Sequence, residues 1–227
     1  MLILAIDSSS QSGSVAFIRD GKILGEFFIN DKLTHSVTLM PMLESLTSIL
    51  NIQLADICAI AIAAGPGSFT GLRIGAASAK AMCLALNIPI IAVNTLDILA
   101  AAAPAGNQII CPILDARKNQ VYTATYTTPT TRTSEYLAIE LDDMLAKFTV
   151  ENSQVYFVGD GLNVYRHKIT EALGDAATFA PSFIEYTRAS ALAMIAETKY
   201  KNGETTNANT FAPIYIRKPQ AELEHDN

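Results

Sequence analysis

"AAGPGSFTGLRIGAASAKA", from Ala63 to Ala81, is the stretch on which the reading of this chain turns. A run of strand formers, "ICAIAIAA", leads into it, three glycines crowd the turn, and a helix leaves it over about Thr70 to Leu86. Such turns often cradle a phosphate, but neither known pattern fits. A P-loop needs Gly, four residues, then Gly-Lys-Ser/Thr, whereas Gly71 is followed by Leu72 and no lysine comes before Lys80. The dinucleotide fingerprint needs G-x-G-x-x-G with an acidic residue about 20 positions later. Gly65, Gly67 and Gly71 run one residue too long for it, and Asp97 comes too late. What remains is the helix. Gly71, Gly75 and Ala79 recur every fourth residue, with Ala76 and Cys83 beside them, and such a stripe lets another backbone approach closely. Packing on the chain's own sheet and a subunit interface both use that spacing.

Working outward, "LILAID" and "SVAFIRDGKILGEFFIN" predict strands, the second pair turned at Asp20-Gly21. Val37, Met40, Leu43, Leu46 and Leu50 fall at helical spacing, with Pro41 inside the pattern. "PIIAV" is a strand and "TLDILAAAA" a short helix, capped by Asn94 or Thr95. The second half restarts the grammar. "IICPILDARKNQVYTATYT" reads as two strands about a polar turn, and "YLAIELDDMLAKF" as a strand passing into a helix. "VYFVGDG" is a strand ending in a turn, and "RASALAMIAETKYKNG" a helix stopped by Gly203. The recurrence predicts two related α/β halves: residues 1–104, residues 105–219, and a disordered tail at 220–227.

At 227 residues the chain has length for a substantial core, and 50% hydrophobic with 17% charged residues describes a folded protein. No apolar stretch reaches the roughly 18 residues of a membrane helix, and "MLILAIDSSS" reads as a first strand rather than a signal peptide. Cys58, Cys83 and Cys111 form no CxxC pair, which suits buried, reduced thiols in a cytoplasmic protein. The net charge of −6 argues against binding RNA unaided. His35, His167 and His225 make no metal-binding spacing, and no serine sits in a G-x-S-x-G elbow. Asp7 ends the first strand before three serines. Such a carboxylate can hold magnesium with Ser9 near a phosphate, or serve only as a turn residue.

Taken in order, "ILAIDSSS", "AIAAGPGSFTGLRIGAASAKA", "IPIIAVNTLDILA", "ILDARKNQVY" and "PIYIRKP" resemble the TsaB family, also called YeaZ, from the first strand to about Pro219. That family is a bacterial subunit of the machinery that makes threonylcarbamoyladenosine in tRNA. The resemblance implies an α/β fold of the actin, sugar-kinase and Hsp70 (ASKHA) type, with two domains related by duplication. In TsaD, the catalytic relative, two metal-binding histidines occupy positions that here are Thr95 and Leu99, which implies that this site is absent. Nucleotide-binding members have Asp-x-Gly where this chain has Asp115-Ala116-Arg117. Gly159-Asp160-Gly161 stands where an adenosine-binding turn is expected, with an added negative charge. Asp7, Ser9, Asp115, Gly159 and Gly161 are thus the positions a nucleotide would use, in an eroded form.

The resemblance further implies that the first two helices pack against equivalent helices of TsaD. On this sequence the seam is expected at His35, Leu39, Met42, Leu43 and Leu46 of the first, and at Arg73, Ala76, Ala77, Lys80 and Ala81 of the second. The expected role is a non-catalytic subunit that activates TsaD and helps recruit TsaE, with ATP and metal held by those partners and tRNA met only through the complex. Alone, the same surface is expected to form a homodimer. Two alternatives stay open: a nucleotide-dependent phosphotransferase using Asp7, and a peptidase.

Overall fold

In the computed structural model, which describes residues 1–31 and 33–216, the elements follow in this order. The first run is β1 (Leu2–Asp7), β2 (Gly13–Arg19), β3 (Lys22–Ile29), α1 (His35–Ile49), β4 (Ala59–Gly65), α2 (Phe69–Leu86), β5 (Ile90–Asn94) and α3 (Thr95–Ala101). The second is β6 (Ile109–Asp115), β7 (Gln120–Thr123), β8 (Tyr126–Thr128), β9 (Thr131–Arg132), β10 (Leu137–Glu140), α4 (Leu141–Val150), β11 (Val155–Val158), α5 (Leu162–Leu173), β12 (Ala177–Phe179) and α6 (Ala189–Lys201).

The described residues divide into two units, Met1–Ile98 with Thr187–Ile214, and Leu99–Tyr186 with Tyr215 and Ile216. The division expected from sequence, at residue 104 and contiguous to 219, differs in two ways. The break falls inside α3, and the chain returns to the first unit for α6 and the segment after it. Residues 220–227 lie outside the described residues.

The physical reason for the return lies in the sheet of the first unit, ordered β3-β2-β1-β4-β5. Side chains alternate between the faces of a strand, and here the alternation gathers the leucines and Phe17 on one face and most of the alanines on the other. Leu2, Leu4, Ile6, Val15, Phe17, Ile60 and Ile62 lie on one side, with Leu39, Met42, Leu43 and Leu46 of α1 and Ala76, Ala79 and Cys83 of α2. Ala5, Ala16, Ala59, Ala61 and Ala63 lie on the other, with Ile3, Ile18, Ile91 and Val93. That second face is low, so it takes a helix with small residues of its own. α6 supplies Ala189, Ala193 and Ala196 around Leu192, and close packing follows from matching small surfaces. The start of α6 is held by β2 and β3. Ser14 Oγ accepts from Ala189 N at 2.9 Å, and Glu26 Oε1 accepts from Ser190 N at 3.0 Å. Glu26 Oε2 also pairs with Arg188 Nη2 at 2.9 Å, and the Arg188 guanidinium lies over the Phe28 ring. Two amides that the helix leaves unpaired at its N-terminus are thus satisfied.

The second unit has a sheet ordered β10-β7-β6-β11-β12, with β8 pairing β6 and β9. The order and the strand senses repeat those of the first sheet: two antiparallel neighbours on one side of the first strand, two parallel ones on the other. Phe157 of β11 anchors its core between Phe148 of α4, edge-on, and Phe179 of β12, stacked. Among the described residues, no helix is long and apolar enough to cross a membrane.

Cys83 and Cys111 are buried, and burial pushes their thiols up to about 11 and about 12; Cys58 is half-buried. The thiolate is the reactive form, so at pH 8 a small alkylating reagent is expected to modify Cys58 first in the native protein and all three in denaturant. Mass spectrometry of timed samples checks this. Equal native rates at Cys58 and Cys111 would contradict the packing described.

Candidate functional site

The glycine loop fills its concavity with the chain's own backbone. Gly71, at the start of α2, sits so close to the turn after β1 that a Cβ there would collide with the Ser8 carbonyl, and one on Gly75 with Ser8 Oγ. Gly65 has φ +114°, a conformation that favours glycine, and its Cβ position faces the Ile214 carbonyl. Ser68 caps α2 by accepting from Gly71 N at 3.2 Å. Ser68 N in turn donates to the Ser9 carbonyl at 2.7 Å, and Ser8 Oγ donates to the Gly71 carbonyl at 2.9 Å. Two amides at the start of α2, Ser68 N and Gly71 N, are therefore paired within the chain. The small residues serve the close approach of α2 to β1.

Asp7 is wholly buried at the end of β1. Its Oδ1 accepts from Ser9 N at 3.0 Å and Ser9 Oγ at 2.7 Å, and its Oδ2 accepts from Thr187 Oγ1. Burial pushes its carboxyl above the ordinary carboxylate value, opposed by the hydrogen bonds of Thr187 and Ser9 and by the nearby His35. Both oxygens are engaged within the unit, so Asp7 and Ser9 are joined as a turn. Of the other nucleotide candidates, Asp115 Oδ1 accepts from Arg117 N at 2.8 Å and from Tyr165 Oη at 2.9 Å. The phenol of Tyr165 is raised to about 12 by burial and by Asp115. Gly159 has φ +120°, and the turn it shares with Gly161 lies against the Ile113 carbonyl, where a Cβ on Gly159 would collide. Thr95 and Leu99 are both buried.

The residues expected at a seam divide by burial. Leu39, Met42, Leu43 and Leu46 are turned inward, at 2–4% exposure, and Ala76 with them at 6%. This corrects the sequence-based choice of the outward side of α1. Burying each such leucine stabilises by about 1.5–3 kcal/mol, and they cover the same sheet face as Ala76, Ala79 and Cys83 of α2. Arg73, Ala77 and Ala81 are exposed. Lys80 is half-buried, its Nζ donating to the Phe211 carbonyl at 3.0 Å. His35 is half-buried, with Nε2 at 2.8 Å from the Ser10 carbonyl and the ring wedged against Gly13 and Gly71.

The outward surface joins Arg73, Ala77 and Ala81, expected at the seam, and Val37 and Met40 of the helical pattern to Phe69, Leu84 and Ile49, which the sequence reading did not single out. Phe69, Arg73, Ala77, Ala81 and Leu84 recur at helical spacing along α2, all exposed, with the Arg73 guanidinium 3.8 Å from the Phe69 ring centre. On α1, Val37, Met40 and Ile49 are 58%, 48% and 70% exposed. An open groove of about 580 Å³ runs beside them, lined by Met40, Thr47, Asn51, Leu54 and Met82 among others. Exposed apolar side chains gathered in this way mark interaction surfaces.

The fold is α/β, of the actin, sugar-kinase and Hsp70 type. The activator of 2-hydroxyisocaproyl-CoA dehydratase from Clostridium difficile shares that fold, at TM-score 0.51 and 11% identity over 91% of this chain and 99% of that one. Nearer similarity is found to a Pseudomonas aeruginosa protein described as similar to peptidase YeaZ, at TM-score 0.82 and 26% identity over 95% of this chain and 99% of that one. The Bacillus subtilis (strain 168) tRNA threonylcarbamoyladenosine biosynthesis protein TsaB is 32% identical over 98% of this chain and 96% of its own length. The family described as "TsaD: tRNA N6-adenosine threonylcarbamoyltransferase" matches residues 22–225. The chain belongs to the TsaB (YeaZ) family, within that wider relationship.

Two substitutions check the geometry. Gly71→Ala forces a methyl group into a backbone carbonyl and is expected to cost about 1–3 kcal/mol in urea unfolding. Gly106→Ala, with open space around it, is expected to be neutral. Because the folded-state Asp7 carboxyl is raised above its unfolded value, its ionisation costs stability as pH rises between those two values. Asp7→Asn removes that loss, so its urea midpoint relative to the parent protein should climb as pH rises through this window. A constant difference from pH 4 to 8 would show that Asp7 does not titrate this way.

Proposed function

We propose that this chain is a non-catalytic subunit in the formation of threonylcarbamoyladenosine in tRNA, acting in the cytoplasm. It binds the catalytic TsaD subunit through α1 and α2, holds it in an active arrangement and helps recruit TsaE. ATP and metal belong to those partners, tRNA is met through the complex, and the free chain pairs with itself by the same face. The observation that carries this reading is the exposed stripe from Phe69 to Leu84 beside Val37 and Met40, in a chain of the TsaB family. The internal use of Asp7 supports a supporting role over phosphotransfer, since Ser9 and Thr187 take three of the about four lone-pair sites of its buried carboxyl.

The test is tRNA modification by purified TsaD, TsaE and the threonylcarbamoyl-AMP synthase, with and without this chain. Product is expected only when it is present, and group transfer by the chain alone would refute the subunit reading. On the proposed face, Ala77→Arg places a charged side chain at an exposed position and should weaken TsaD binding about tenfold or more, about 1.4 kcal/mol, without lowering the melting temperature. Ala76→Arg is the poorer probe, because that residue is buried and the substitution would unfold the helix packing.

A further inference from the structure

The segment after α6 touches the structure around α2 at three places. At its start, Thr206 pairs with Ile90, N–H to carbonyl in both directions at 2.8 and 2.9 Å, just beyond the end of α2. In its middle, the Phe211 carbonyl accepts from Lys80 Nζ at 3.0 Å, and the Phe211 side chain is buried in the core cluster with Ala76, Ala79 and Cys83 of α2. At its end, Ile214 N donates to the Ala64 carbonyl at 2.7 Å, and the Ile214 carbonyl stands against Gly65, just before α2 begins. Ile90 is level with Ile60 in the sheet, so the segment climbs the four residues to Ala64, about 13 Å along the strands. Near the last turn of α2 it stands off, leaving a groove of about 410 Å³ lined by Cys83, Leu84, Asn87, Thr206 and Asn207 among others. Between these tethers Ala208 is also buried in the same core cluster.

We infer that Thr206–Ile214 is a tie bar that sets the position of α2 and keeps its outward stripe in the arrangement a partner requires. Each tether falls before, within or after the helix that carries Phe69, Arg73, Ala77, Ala81 and Leu84. Lys80 acts in it as a positioning residue: its ammonium is directed to the Phe211 carbonyl, and a hydrogen bond to a charged group is stronger than a neutral one. Freeing the bar would loosen the glycine turn and the helix together. The effect on binding rests on the proposed role of the α1–α2 face; the effect on the helix does not.

Hydrogen exchange and TsaD binding, both measured on the full chain, separate the two. Lys80→Met keeps the aliphatic stem and removes the donor; Phe211→Ala removes the buried anchor from the other side, at a residue too buried to touch a partner. Each is expected to speed exchange across Gly65–Leu86 by about tenfold and to weaken TsaD binding by a similar factor, while exchange in α4 and α5 stays as in the parent. Exchange within about twofold of the parent in both variants would overturn the tie bar, as would faster exchange with unchanged binding. If Phe211→Ala fails to fold, Lys80→Met alone decides. Ala77→Arg is the comparison: normal exchange with lost binding supports the face, and normal binding refutes the face while leaving the exchange result to stand.

Discussion

The nearness of the α2 backbone to the Ser8 and Ser9 carbonyls governs the first unit. A helix that lies this close to the end of β1 must begin with residues lacking a Cβ where the two backbones meet. It then has room to bond directly to them, through Ser68 N to Ser9 and Ser8 Oγ to Gly71. Once α2 is set there, the turn after β1 is held in place, and Asp7 is hydrogen-bonded by Ser9 and Thr187.

Much of this was legible in the order of residues. The glycine spacing from Gly71 to Ala79 marked the close approach, and the first sheet was readable from runs that alternate faces. α1 was harder. It has apolar residues all round, so periodicity alone did not say that Leu39, Met42, Leu43 and Leu46 would turn inward while Val37, Met40 and Ile49 stayed out. The deciding quantity was the height of the sheet surface beneath, a property of strands elsewhere in the chain. α5 gave almost no signal, because only Leu162, Tyr165 and Ile169 are buried and Val164 on the same helix is exposed. The placement of α6 on the first sheet depended on matching alanines more than a hundred residues apart, which no local window contains.

The two candidate anion turns also compare usefully. Gly159 and Gly161 lie against the Ile113 carbonyl much as Gly71 lies against Ser8, but Asp115 is exposed and accepts from Arg117 N and Tyr165 through Oδ1, whereas Asp7 is buried with both oxygens bonded. In both units the strand-end carboxylate is bound by neighbours of its own unit.

The discontinuous first unit has a bearing on synthesis. During translation the sheet and α1–α2 emerge first, yet the alanine face waits for α6, which follows the roughly ninety residues of the second unit. At about 5–20 residues per second, that face is uncovered for about 5–20 seconds on the ribosome. A surface of small residues attracts other chains less strongly than one of leucines, because the area removed from water per contact is smaller. The low face that lets α6 pack closely is thereby also the safer one to leave bare while the nascent chain is still growing.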